Sequence, residues 1–259
     1  MSELVEVSVH DAIATVTLCN PGKMGALSVA AMQQLNAAMT EIGKRQDIHV
    51  VVLASQGKVF SAGHDLSEVR GADETQQRQI FETCTELMLT LQRIAQPVIA
   101  KVHGLATAAG CQLVATCDLA VASQSARFAT PGVRIGLFCS TPMVALSRAV
   151  PQKVAMRMLL TGDPITADEA AAAGLVSDVV PDDELDEAVS TLATRVAHAS
   201  AATVSLGKRA FYDQLNLPVA EAYEKMSEVM TRNAVMPDAQ EGIGAFLEKR
   251  DPVWQHHDQ

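Results

Sequence analysis

Aromatic side chains are scarce in this 259-residue chain, at 3% (six Phe, two Tyr, one Trp). A hydrophobic interior must therefore be built from aliphatic residues and the eleven methionines. The scarcity also removes the stacking platforms on which single-stranded nucleic acid is bound. Positive charge is in deficit, with 20 Lys and Arg against 30 Asp and Glu and a net charge of −10. Such a balance excludes the basic stripe needed for non-specific nucleic-acid binding. An anionic ligand remains possible, because a few local cations and helix N-termini suffice to hold phosphates. The five cysteines are odd in number and contain no C-x-x-C pair, so they read as reduced thiols serving as small hydrophobes. No apolar run reaches 18 residues; the nearest, 105–122, carries Gln112 and Asp118. It is a core segment and not a membrane span. The acidic start (Ser2-Glu3-Leu4-Val5-Glu6) resembles neither a signal peptide nor an Arg-rich transit sequence. A cytoplasmic location is the expectation.

What is present is alternation of strand and helix signals. Val5 to Cys19 reads as a β-hairpin broken at His10-Asp11. Ser28 caps a helix with Met32, Leu35, Met39 and Ile42 three or four residues apart, ended by Gly43. His49–Ala54 is a short buried strand. Asp73 opens a long helix (Ile80, Cys84, Leu87, Leu91, Ile94) stopped at Gln96-Pro97, and Val98–Val102 is again a strand. A small-residue helix is expected over 108–116, strands over 118–122 and 126–129, helices over 141–149, 153–160 and 167–173, and a strand over 175–180. From Asp182 to Lys249 the pattern is helical, with breaks near 199–202, 216–218 and 237. The polar tail from Asp251, with His256-His257, reads as frayed and solvated. The class is α/β with a C-terminal helical appendage.

Familiar cofactor signatures are missing: no G-x-G-x-x-G, no G-x-x-x-x-G-K-[ST] and no H-E-x-x-H occur. No metal set is expected. Ser61-Ala62-Gly63 is not a nucleophile elbow, because Val59 stands where that motif needs Gly. Two strand-to-turn segments carry the chemical information: 59–66 (VFSAGHDL) and 102–113 (VHGLATAAGCQL). Each can leave backbone N–H groups pointing outward, the second at a helix N-terminus whose dipole adds positive potential. Converging N–H groups would stabilise an oxyanion or enolate. Read by spacing alone, the same segments are equally ordinary tight turns at the ends of buried strands.

The first segment resembles the A-G-x-D-[LI] signature of the crotonase superfamily, the enoyl-CoA hydratase/isomerase family. The second resembles its companion, G-x-[AS]-x-G-G-G-x-x-[LI] followed by C-D-[LIV]-x-x-A, which Cys117-Asp118-Leu119-Ala120-Val121-Ala122 completes. Asn20-Pro21 with Ala26-Leu27, Phe128-x-x-Pro131, Ile135-Gly136-Leu137, Leu160-Thr161-Gly162, Gly174-Leu175-Val176, Glu241-Gly242, Ala245-Phe246 and Lys249-Arg250 agree in order and spacing over essentially the whole chain. Within the family the nearest likeness is to the enoyl-CoA hydratase domain-containing protein 3 type, through Gly63-His64-Asp65-Leu66, Ala108–Leu113 and Phe138–Pro142.

The resemblance implies a crotonase-like (ClpP/crotonase) spiral of β-β-α turns over 1–198, with a helical trimerisation region over 199–259. It also implies a homotrimer or dimer of trimers. The implied ligand is an acyl-CoA thioester, with no cofactor beyond its CoA moiety. Its carbonyl oxygen would lie between the backbone N–H groups of His64 and Ala109. Ala62, His64, Asp65, Leu66 and Gly110 would border the CoA portion, with Lys23, Arg70, Phe246 and Lys249 as further candidate contacts; surface ion pairs are the plain alternative for the three cations.

The chain departs from the family where acid–base groups are expected. Two glutamates serve the hydratases, one accepting a proton while the other donates. Here those positions fall on Gln112 and Gly132, and a third carboxylate position falls on Ser140. None transfers a proton usefully near neutral pH. His64 has an imidazole in the right range for a base, although its N–H is what the resemblance singles out. Cys139 and Ser140 are candidate nucleophiles or packing residues, Gln112 can hold a water or carbonyl without proton transfer, and His103 reads as structural. Three functions stay open: an enolate-stabilising acyl-CoA enzyme, a thioester hydrolase, and a noncatalytic acyl-CoA binder. If the register is right, Gln112→Glu with Gly132→Glu is expected to raise hydratase activity.

Overall fold

The structure, a computed structural model, describes residues 3–256. The chain opens with the hairpin β1 (Val5–His10) and β2 (Ile13–Leu18), followed by α1 (Val29–Gly43). Next come β3 (Val50–Ser55), the short α2 (Leu66–Val69) and the long α3 (Glu74–Arg93). Two β-β-α units follow: β4 (Val98–Val102), β5 (Leu105–Thr107), α4 (Ala109–Thr116), then β6 (Leu119–Ser123), β7 (Arg127–Ala129), α5 (Ser140–Ala149). The core is completed by α6 (Gln152–Thr161), β8 (Ile165–Thr166), α7 (Ala167–Ala173), β9 (Asp178–Val180) and α8 (Leu185–Ala197). Three helices end the chain: α9 (Ala201–Gln214), α10 (Val219–Ala234) and α11 (Pro237–Glu248).

Each β-β-α unit gives one strand to each of two sheets. The larger sheet has the order β1-β2-β3-β4-β6-β9 and the smaller one β5-β7-β8. From β2 to β9 the large sheet is parallel. Its central strands are covered on both faces, which is why Val50-Val51-Val52-Leu53 is an unbroken buried run without polar alternation. One face packs on α1 and α3 through Met32, Leu35, Met39, Ile80, Leu87 and Leu91. The other packs on α8 through Leu185, Val189 and Ala193.

Helix starts follow local chemistry. Ser28 accepts from the Ala31 N–H to cap α1, and Asp73 with Gln76 forms a reciprocal capping box on α3. The expected breaks near 199–202, 216–218 and 237 separate α8, α9, α10 and α11. Three short elements differ from the sequence expectation. β5, β8 and α2 have 3, 2 and 4 residues, too few for a period of 2 or 3.6 to show.

The last helices are tied to the core by polar contacts. Lys208 of α9 is buried and donates to the carbonyls of Leu91 and Gln96 while pairing with Asp118 at 2.7 Å. Tyr212 donates to the other oxygen of Asp118. The stretch 251–256 is not frayed, contrary to expectation. Asp238 is fully buried and accepts from the N–H groups of Gln255 and His256 and from the Ser200 hydroxyl. Trp254 donates to the His198 carbonyl, and the His256 ring lies tilted against His49, centroids 4.3 Å apart. A buried carboxylate must be satisfied, and the tail backbone supplies the donors. His257 and the residues after it lie outside the described part. No helix among the described residues is long and apolar enough to cross a membrane.

Candidate functional site

The two information-bearing turns meet. Ser61 and Ala106 form a parallel bridge, with Ser61 N–H donating to Leu105 O and Thr107 N–H to Ser61 O. Gly63 then presses on the second turn: a Cβ there would fall 2.9 Å from Thr107 O and 3.1 Å from Ala109 N. With φ at +85°, only glycine fits this contact without strain. Gly110 is held as closely, since its Cβ would lie 2.4 Å from Ser61 O.

The peptide directions follow from these pairings. Gly63 O and the Asp65 N–H are both engaged by Leu27. Alternation along an extended segment turns the intervening His64 N–H the opposite way, and it has no hydrogen-bond partner among the described residues. Ala109 opens α4, so its N–H is among those a helix cannot satisfy internally. Ala108 has no side chain able to cap it. Its dihedrals, φ 51° and ψ −117°, are those of the first central position of a type II′ turn, usually glycine. That conformation sets the plane of the 108–109 peptide and therefore the aim of the Ala109 N–H.

Beside these turns lies a cavity of about 500 Å³. Leu66 and Val69 of α2, Phe81 of α3 and the 131–142 segment make most of its wall, with Ala62, His64, Thr107 and Ala108 along one side. The wall contains no carboxylate. Its one formal charge is Arg134, whose guanidinium is engaged by Asp163 and the Thr161 carbonyl. The His64 ring stands edge-on to Phe81, centroids 5.3 Å apart. Burial pushes its pKa from 6.5 down to about 4, so the imidazole is neutral at pH 7.

The residues singled out from the sequence separate into three groups. Ala62, His64, Leu66, Gly132, Cys139 and Ser140 all line the cavity. Burial raises the Cys139 thiol above its usual range, with the Gly132 amide partly opposing; no base is bonded to it. The Ser140 hydroxyl makes one long contact with Phe138 O, 3.4 Å. Asp65 caps α2 through Ser67, and Lys23 binds its carboxylate at 2.7 Å. The Lys23 ammonium and the Ser67 hydroxyl hold the Asp65 carboxyl below the usual range. Gln112 is buried against α3, where its Oε1 faces Cys84 Sγ at 3.8 Å, and it is not part of the cavity wall. Phe246 and Lys249 sit apart as well. Phe246 is 82% exposed and lines a second apolar cleft with Met230, Ile243, Leu247 and Trp254. Lys249 ends α11 in a left-handed conformation. His103 bonds to the Gly57 carbonyl.

The expectation of a restorable glutamate at 132 is corrected by sterics. A Cβ on Gly132 would lie 2.0 Å from the Leu137 carbonyl oxygen and 2.9 Å from Cys139 Sγ. No side chain enters that position unless the 132–139 turn opens. Sequence reasoning passed over Thr107, Phe81 and Arg134 as wall residues. Thr107 becomes visible only once β5 is recognised, because its side chain alternates with the core residue Ala106.

The sequence model of the family described as Enoyl-CoA hydratase/isomerase matches residues 8–257. A rat protein named "Enoyl-CoA hydratase domain-containing protein 3, mitochondrial" is 48% identical over 248 residues, covering 95% of this chain and 83% of the rat protein. The crystal structure of an enoyl-CoA hydratase from Mycobacterium smegmatis superposes with a TM-score of 0.96 at 44% identity, covering 98% of this chain and 99% of that one. The human domain-containing protein 3 structure gives a TM-score of 0.95 at 47% identity, with 97% and 100% covered. The cytoplasmic expectation is overturned by these relatives: the rat, mouse and human proteins are all named as mitochondrial. That expectation rested on an acidic start and on reduced thiols, and thiols stay reduced in more than one compartment. Motif order, two-sheet topology and superposition agree: the chain belongs to the enoyl-CoA hydratase/isomerase family, with the crotonase fold.

Proposed function

We propose that the protein binds an acyl-CoA thioester, holds its carbonyl oxygen between the N–H groups of His64 and Ala109, and stabilises the enolate form of that thioester. One observation carries the reading: two partnerless amides from separate turns are brought together at Gly63 beside an apolar cavity. The cavity takes the acyl group, against Leu66, Val69, Phe81 and the 131–142 segment. Ala62 to Leu66 border the CoA portion, and Lys23 keeps two donor positions for a phosphate beyond the one given to Asp65. Phe246 and Lys249 do not line the cavity of their own chain, and in this reading they meet the CoA portion held by a neighbouring subunit. Exposed Tyr223, Met230, Ile243, Phe246 and Leu247 on α10 and α11 support a trimeric assembly through the helical region 199–259, with 1–198 as the spiral core.

Hydration by paired carboxylates has no counterpart in this cavity. Its one uncharged base is the His64 imidazole, and the lowered basicity limits proton transfer to slow turnover. That carboxylate-free wall favours binding and polarisation of the thioester over fast addition of water. Thioester hydrolysis through Cys139 is disfavoured by its raised pKa and the lack of a partner base.

The test removes the carbonyl from the ligand and leaves the protein intact. Calorimetric titration compares butanoyl-CoA with the thioether S-butyl-CoA. Two neutral hydrogen bonds of about 0.5–1.5 kcal/mol each give the thioester an advantage of about 5- to 150-fold. Equal affinity for the two ligands refutes the carbonyl grip; no binding of either refutes the acyl-CoA reading.

A further inference from the structure

A buried hydroxyl stands where the two turns cross. Ser61 is fully buried. Its Oγ donates to the Gly25 carbonyl at 2.7 Å and accepts from the Gly63 N–H at 3.2 Å. Neither backbone group has another partner among the described residues. Bonded to backbone on both sides and closed to solvent, the hydroxyl is not a nucleophile. The side chain is also held in place from α4: a Cβ on Gly110 would lie 2.7 Å from Ser61 Cβ and 2.9 Å from its Oγ.

Gly63 is where this bond matters. The close approach to Thr107 and Ala109 requires glycine there, at φ +85°, and glycine brings more backbone freedom than any other residue. Unrestrained, it would let the 63–64 peptide swing and carry the His64 N–H with it. Two hydrogen bonds take that freedom away. Leu27 N–H holds the Gly63 carbonyl at 2.8 Å and so sets the 63–64 peptide. The Ser61 hydroxyl holds the Gly63 N–H and sets the peptide before it. With both flanking peptide planes fixed, the direction of the His64 amide is fixed too. Serine does this because one small atom both donates and accepts. Alanine would do neither, leaving the Gly63 N–H and the Gly25 carbonyl buried and unsatisfied.

We infer that Ser61 is a positioning residue, whose hydroxyl aims the His64 amide at the ligand carbonyl without touching the ligand. The inference rests on the thioester reading above, and the experiment separates the two. Full-length protein and its Ser61→Ala, Ser61→Cys and Thr166→Ala variants are titrated calorimetrically with butanoyl-CoA and S-butyl-CoA. In Ser61→Ala the preference for the thioester falls by about 2- to 12-fold, the equilibrium worth of one neutral hydrogen bond, while S-butyl-CoA affinity stays within about 2-fold of native. The preference of Ser61→Cys, whose thiol donates and accepts weakly, lies between the two, and this variant decides the matter should Ser61→Ala fail to fold. The carbonyl stretching band of bound butanoyl-CoA, shifted by the amide donors in the native protein, moves back toward its solution frequency in Ser61→Ala. Thr166→Ala removes the α7 cap, outside the cavity wall, and is destabilised with its preference unchanged. A native preference that persists in both Ser61 variants overturns the inference, as does an equal weakening of both ligands. A loss of preference in Thr166→Ala also overturns it, because the effect would then follow from destabilisation alone. If the native protein binds the two ligands equally, the carbonyl grip itself fails and this inference falls with it.

Discussion

Ala108→Gly is the most direct probe of the turn that aims the Ala109 amide. Ala108 is held at φ 51°, ψ −117°, where an L-residue other than glycine pays about 1–3 kcal/mol in steric strain. Glycine removes that strain and costs about 0.5–1 kcal/mol of extra unfolded-chain entropy. The hydrogen bonds that impose the conformation do not depend on the methyl group. Ala108 N–H donates to Ala129 O, and Gln112 N–H donates to Ala108 O. The net expectation is a stabilisation of about 0.5–2 kcal/mol, which for a chain of this size raises the melting temperature by about 1–8 °C. Differential scanning calorimetry and urea unfolding should agree on the sign. A lowered melting temperature would refute the reasoning, because it would mean that the methyl contacts outweigh the strain. A stabilised variant with weaker acyl-CoA binding would tie the strained turn to ligand recognition, since a relaxed turn no longer holds the amide in one direction.

Three further predictions concern the cavity and its immediate support. Gly132→Ala should destabilise the protein by about 1–3 kcal/mol through overpacking, seen as a lower urea midpoint, because its Cβ would meet the Leu137 carbonyl. The Gln112→Glu, Gly132→Glu pair should accordingly fail to raise crotonyl-CoA hydration, measured by enoyl absorbance; a folded, active double variant would contradict the steric argument. The His64 ring titrates near 4 in the folded protein and near 6.5 when unfolded. The unfolded chain therefore binds more protons between those values. The stabilisation is complete above pH 6.5 and is lost as pH falls toward 4, by about 3 kcal/mol. Urea midpoints at pH 7 and 4.5 should converge more for His64→Gln than for the native protein, and parallel pH dependence in the two would exclude a buried neutral ring.

Much of the architecture was legible in the residues because it is written in local periodicity. Met32, Leu35, Met39 and Ile42 announce the buried face of α1, Val50–Leu53 a strand covered on both sides, and Ser28 and Asp73 the caps. The turns at 59–66 and 102–113 were recognisable as carriers of chemistry by their small residues and by family resemblance. Tertiary structure decided everything that depends on two distant segments meeting. That Ser61 pairs with Ala106, and that Gly63 seats against Thr107 and Ala109, is a fact about strand register in space, which no spacing along one strand encodes. Gly132 looks in sequence like a missing carboxylate; the Leu137 carbonyl shows it to be a place with no room for a side chain. Gln112 shares the helix of the Ala109 amide, yet its side chain meets Cys84 and does not line the cavity. The tail read as frayed because it is polar, while one buried carboxylate, Asp238, recruits its backbone N–H groups. Hydrogen bonding to a buried charge is non-local, so composition could not reveal it.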